Sequence, residues 1–134
     1  MVSLPEAKNA LSVTIFEEQP PFTSAPGAAE FVRIYRERAT KAGLADPSVE
    51  TQAAASYTAW QILEAGVNGT KSLDDKAIGA WLKTNKVDTV QGKLRFDGFN
   101  NFGDDLMRVK QVQNGHWVVV WPNEVANGAK LMAP

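Results

Sequence analysis

Apolar and polar positions change period along this chain several times, and each change predicts an element. Residues 10–16, Ala-Leu-Ser-Val-Thr-Ile-Phe, alternate and are rich in β-branched side chains, which predicts a strand. Glu17, Glu18, Gln19, Pro20 and Pro21 stop it. After Pro26 and Gly27, the apolar residues Phe31, Ile34, Tyr35, Ala39 and Ala42 recur at helical spacing, with Arg33, Arg36, Glu37 and Lys41 between them. That is an amphipathic helix closed near Gly43. Asp46-Pro47 supplies a capping acceptor and a ring with preset φ, so a second helix is expected to begin there. Its body, residues 52–65, is weakly polar on every side, which predicts a largely buried helix ending at Asn68-Gly69.

Ser72-Leu73-Asp74-Asp75 resembles a capping box with Asp in the Glu position. Ala77, Ile78, Trp81 and Leu82 then form the inner stripe of a short third helix, and Lys83 and Lys86 complement its negative end. From Val90 the period becomes two: Leu94 and Phe96 alternate with Lys93 and Arg95. Asp97-Gly98 turns the chain into a polar loop through Asn100, Asn101, Gly103 and Asp104. Asn114-Gly115 is the strongest hairpin signal, because a two-residue type I′ turn needs two residues that accept positive φ. Such a turn sets Gln113 opposite His116, Val112 opposite Trp117, Val109 opposite Val120 and Arg108 opposite Trp121. Met107, Val109, Val118 and Val120 then share a core face, and Arg108, Lys110, Trp117, Val119 and Trp121 share the other. The fold class is α/β: three helices on a small mixed sheet with a C-terminal hairpin.

A length of 134 residues suits one domain, and 44% hydrophobic with 22% charged residues is ordinary for a soluble protein. Fourteen basic and fifteen acidic residues leave a net charge of -1, without a basic run that could follow a phosphate backbone, so nucleic acid is not an expected partner. The absence of cysteine removes disulfides, thiolate metal sites and Cys nucleophiles. Residues 1–6 carry neither a basic segment nor an apolar stretch, so no signal peptide is expected in this chain.

Catalytic signals are sparse. His116 is the sole histidine and the natural general acid or base, with Asp97 or Asp104 as an orienting partner, yet it falls at a hairpin turn between Gln113 and Trp117. No Ser-His-Asp spacing, P-loop or dinucleotide fingerprint is present. Adjacent residues on a strand or helix point to different sides, and a strand exit, a helix N-terminus and a loop account for the pairs Glu17-Glu18, Asp74-Asp75 and Asp104-Asp105, so no metal site is expected. Trp60 and Trp81 fall in apolar helix stripes and are expected to pack.

The order of these elements resembles the C-terminal portion of the branched-chain amino acid binding family, the periplasmic solute-binding subunits of ABC transporters. The resemblance rests on Gly27 to Tyr35, on Ala53 to Ala59 around Tyr57, on Asp88 to Gly92 with Phe96-Asp97, and on Asn114 to Pro122. It implies a piece of a two-lobed protein that closes on a small ligand. Residues 1–46 would belong to the second lobe, 47–87 to helices of the first, and 88–134 to the last hinge crossing, the hairpin and the tail. The implied ligand is a branched-chain amino acid or a related small acid, aromatic acids included. The implied partner is the ABC permease and the implied compartment the periplasm, with no cofactor and no catalysis. About two thirds of the family's length, with most ligand contacts, precedes the matching region. Within this chain the start of the buried helix, Gln52 to Ser56, would face the cleft, with Gln52 and Ala54 as wall residues. Two other classes remain open: a small α+β enzyme using His116 with Asp97, and an interaction module that dimerises through strand edges.

Overall fold

The computed structural model describes residues 4–99, 103 and 105–133, and among these the chain forms two compact units. One is built from residues 1–15 and 106–134, the other from the continuous stretch 16–105. The chain therefore passes between units at 15/16 and at 105/106. The expected division near residue 46 and the expected crossing at 88–97 both fall inside the second unit.

The first unit is a three-stranded antiparallel sheet in the order β1-β4-β5, from β1 (Leu11–Thr14), β4 (Arg108–Gln113) and β5 (His116–Trp121). Asn114 and Gly115 take φ of 53° and 78°, the two positive values that a type I′ turn demands. The predicted pairing holds for Gln113 with His116 and Val112 with Trp117, and then fails at a β-bulge: Val109 pairs with Trp121. The extra residue on β5 shifts the remaining register by one, so the expected core face is corrected. Val112, Val119 and Val120 are buried, whereas Met107 is exposed and Val109 and Val118 are only half-buried. Lys110 lies over the Trp117 ring at 5.1 Å from its centroid.

The other side of this sheet is roofed by the C-terminal tail. Gln111, 2% exposed, donates from Nε2 to the Met132 carbonyl at 2.9 Å and to that of Asn9 at 3.3 Å. Its Oε1 accepts from the Met132 N–H at 2.9 Å. Gln113 adds a bond from Nε2 to the Lys130 carbonyl at 2.8 Å. One buried amide thus pairs with both the N–H and the carbonyl of Met132, as a neighbouring strand would.

The second unit carries α1 (Ala28–Lys41), α2 (Thr51–Thr70), α3 (Asp75–Thr84) and an antiparallel pair, β2 (Val87–Thr89) with β3 (Gly92–Leu94). The α/β class and the three helices stand as read. The sheet is not one mixed layer but two antiparallel pieces among the described residues. The core gathers Phe16, Ala28, Val49, Ala54 and Val90, with Phe16 edge-on to Phe22 and Phe31. On the outer face of α1, Arg33 bridges Glu30 at 2.6 Å and Glu37 at 3.2 Å. The guanidinium holds the Glu30 carboxyl below its ordinary value.

α2 starts four residues after the position predicted from Asp46-Pro47. Asp46 instead accepts from the Ser48 N–H at 2.9 Å, closing a turn, and bonds to Ser48 hold its carboxyl below the ordinary range. The Val49 N–H donates to Glu18 Oε1 at 2.7 Å, which ties this stretch to the loop after β1, and Glu18 also takes Arg36. Paired in this way, the Arg36 guanidinium is pushed above its usual value. The far end also runs longer than expected: Asn68 and Gly69 stay helical and Lys71 closes the helix with φ of 54°. Gly66 and Gly69 are where α3 approaches. A Cβ on Gly66 would sit 2.7 Å from Ile78 Cγ2, and one on Gly69 would sit 2.3 Å from Trp81 Cε2. The cap of α3 is Asp74 itself, whose Oδ1 accepts from the Ala77 N–H at 2.8 Å, while Ser72 Oγ accepts from the Asp74 N–H.

Candidate functional site

The N-terminal half of α2 and the turn before it are held at three points. Glu18 takes the Val49 N–H, Ala54 is sealed in the core at 0% exposure, and Gln61 Oε1 accepts from the Val90 N–H at 2.9 Å. The last bond fixes the β2–β3 turn against the helix, and Thr89 Oγ1 steadies that turn by donating to the Gly92 carbonyl at 2.8 Å. Of the two residues expected to line a cleft, Gln52 is exposed on the first turn and Ala54 faces the core. Two positions on a helix turn through about 200°, so one side chain faces solvent when the other is buried. The first turn has no capping side chain.

A second feature lies on the opposite side of α2. Tyr57 stacks on Phe31 of α1 with centroids 4.7 Å apart and planes inclined by 21°. Below this stack runs an apolar groove of about 500 Å³ between the two helices, walled by Ile34, Tyr35 and Ala39 on one side and by Ala53, Ser56 and Trp60 on the other. Arg38 is its one charged lining residue. Trp60 is 70% exposed and Tyr57 45%, which corrects the expectation that α2 is largely buried and that Trp60 packs inside. Trp81 does pack, half-buried against Gly69. The signal for this face was present in the sequence: 31, 34, 35 and 38 on one helix and 53, 56, 57 and 60 on the other each form a single stripe.

The residues of the catalytic alternative fall in different units of the chain. His116 is exposed at the first residue of β5, in the first unit. Asp97 belongs to the second unit and lies 3.4 Å from Arg95. Asp104, the other candidate partner, lies outside the described residues, as do Asn100 and Asn101 of the polar loop. Glu18 and Asp74 are engaged in the tie to Arg36 and the helix cap. No group of three metal-ligating side chains occurs among the described residues.

A helical unit continuous in sequence, and a sheet unit built from the two segments flanking it, define a portion of the type I periplasmic binding fold. A leucine-binding protein, LivK, from Thermotoga maritima matches 86% of this chain with a TM-score of 0.67 and 22% sequence identity. The chain spans only 31% of that protein's length. No protein-family model matches the sequence, and no curated protein does.

Proposed function

We propose that this chain is the C-terminal portion of an extracellular solute-binding subunit of an ABC transporter. Such a subunit captures a branched-chain amino acid or a related small acid in the periplasm and delivers it to the permease without chemistry. The observation that carries this reading is the match of 86% of the chain to a leucine-binding protein at a TM-score of 0.67. The two crossings at 15/16 and 105/106 support it, since a protein that closes on its ligand needs bodies joined by few strands of chain. In this reading the chain contributes to a protein whose two lobes close over the ligand. Gln52, exposed on the first turn of α2, is the wall residue we assign to the ligand cleft.

The test is a thermal unfolding screen against leucine, isoleucine, valine and small aromatic carboxylates. A ligand present at a hundred times its dissociation constant stabilises by about 2.7 kcal/mol. Selective stabilisation by one amino acid is expected if the chain, alone or self-associated, retains the cleft. A transition that none of these compounds moves removes ligand capture by this chain. Self-association is favoured by edge strand β1, where Leu11 and Val13 are each 58% exposed, and sedimentation of the same samples reads it.

A further inference from the structure

We infer that Asn127 is a site of spontaneous deamidation, and that its conversion to isoaspartate unfastens the C-terminal tail. The chain holds three Asn-Gly pairs, at 68–69, 114–115 and 127–128. Glycine has no side chain to shield the backbone nitrogen that attacks the asparagine amide. The chemistry is the same at each pair. The glycine nitrogen bonds to Asn Cγ, the Cγ–Nδ2 bond breaks, and the amide leaves as ammonia with the proton given up by the backbone nitrogen. Water then opens the succinimide ring that has formed. Opening at Cγ gives aspartate, and opening at the original backbone carbonyl gives isoaspartate, with an extra carbon in the main chain.

The fold separates the three pairs. Asn68 and Gly69 lie inside α2, so the Gly69 N–H belongs to the helix ladder, and a Trp81 ring carbon lies 2.3 Å from where a Cβ on Gly69 would sit. Asn114 and Gly115 form the tip of the β4–β5 hairpin, and opening that turn breaks the pairing of Gln113 with His116 and then of Val112 with Trp117. Asn127 and Gly128 make a second turn of the same kind, with φ of 49° and 84°, closed by the Ala129 N–H on the Ala126 carbonyl at 2.9 Å. This one is flanked by no strand pair. Both its residues are exposed, and a Cβ on Gly128 would meet nothing within 4 Å. In a left-handed turn the following nitrogen is rotated away from the side chain, so attack waits for the turn to open. The turn with the least to break converts first, and that turn is 127–128.

Its place in the tail gives this conversion an effect. Ala126, 5% exposed, anchors one end of the turn. Beyond the other end the tail is clasped by side-chain amides: Gln113 Nε2 donates to the Lys130 carbonyl, Gln111 takes both backbone groups of Met132, and Asn9 Nδ2 donates to the Ala133 carbonyl at 3.1 Å. Those amides project from one sheet unit, so they meet Lys130 to Ala133 only while the tail keeps its register. Isoaspartate at 127 lengthens the main chain between anchor and clasps and adds a negative charge. Leu131 and Met132 are 61% and 45% exposed, so apolar burial does little to hold the tail once that register is lost. The inference is independent of the transport reading, since Gln52 and the helical unit take no part in it.

The experiment is peptide mapping by mass spectrometry of the folded chain held in mildly alkaline buffer, beside a sample unfolded in urea. In the folded chain Asn127 is expected to lose its amide several-fold faster than Asn114, with Asn68 slowest. In urea, where neither turn nor helix protects the amide, the three should convert at similar rates. Asn127→Gln should remove the early ammonia release, because the longer side chain disfavours ring closure, and circular dichroism should show this exposed variant folded. The isoaspartyl form, separated by ion exchange, should show faster amide exchange at Met132 than the fresh chain. The proposal fails if Asn127 stays intact while the unfolded chain converts, or if Asn114 or Asn68 converts as fast in the folded chain. It fails too if urea leaves the same order in place, which would make local sequence the cause. Equal exchange at Met132 in both forms would overturn the unfastening of the tail.

Discussion

At the scale of single residues, Gln111 shows how one polar side chain can organise a unit. Its amide, on a residue only 2% exposed, bonds to the backbone of both Asn9 and Met132. Gln111→Leu keeps most of the volume but leaves those backbone groups without their bond. A hydrogen bond contributes about 0.5–1.5 kcal/mol net, and since Met132 is itself exposed a loss of that order is expected in denaturant unfolding, with faster amide exchange at Met132. Unchanged stability and exchange would mean that the tail is held by something else. This role was not legible in sequence, where Gln111 is one polar residue among several in an alternating strand. Its partners lie about 100 residues before it and about 20 after it, a separation that no local pattern encodes.

At the scale of elements, what could be read was what depends on neighbours in the chain. The Asn114-Gly115 turn, the three helices and the period-two stretch around Leu94 follow from φ preferences and from apolar spacing. What could not be read depends on contacts across the fold. The start of α2 moved because Glu18 pins Val49, and the β5 register shifted through a bulge that no residue type announces. Gly69 has the same lesson: next to Asn68 it looks like a helix stop, yet it stays helical because Trp81 occupies the place of its missing side chain. Gly69→Ala gains helix propensity worth up to about 1 kcal/mol. It also forces an indole ring out of van der Waals overlap, and overpacking costs about 1–3 kcal/mol. We expect net destabilisation, a lower denaturation midpoint with changed near-ultraviolet dichroism from the moved tryptophan. A stabilised variant would show that α3 shifts freely on α2. The candidate site divides in the same way: the aromatic stripes on α1 and α2 were visible as spacing, and their joining into one groove was not.

At the scale of the whole molecule, the two units differ in how the chain makes them. The helical unit is a continuous stretch, 16–105, with its own core of Phe16, Ala28, Val49, Ala54 and Val90. The sheet unit needs both ends of the chain, because β1 has to meet β4 after the whole of the other unit has intervened. A stretch of roughly 90 residues is long enough to bury a cooperative core, and loop closure does not tax it. Residues 16–105 expressed alone are therefore expected to show a helical circular dichroism spectrum and a single cooperative thermal transition. A broad, non-cooperative loss of signal would mean that its core depends on the sheet unit, and the functional reading would then change as well. Binding by closure requires bodies that keep their shape while the angle between them changes. A helical unit that folds alone would hold Gln52, on the first turn of α2, on a body whose shape does not depend on the rest of the chain.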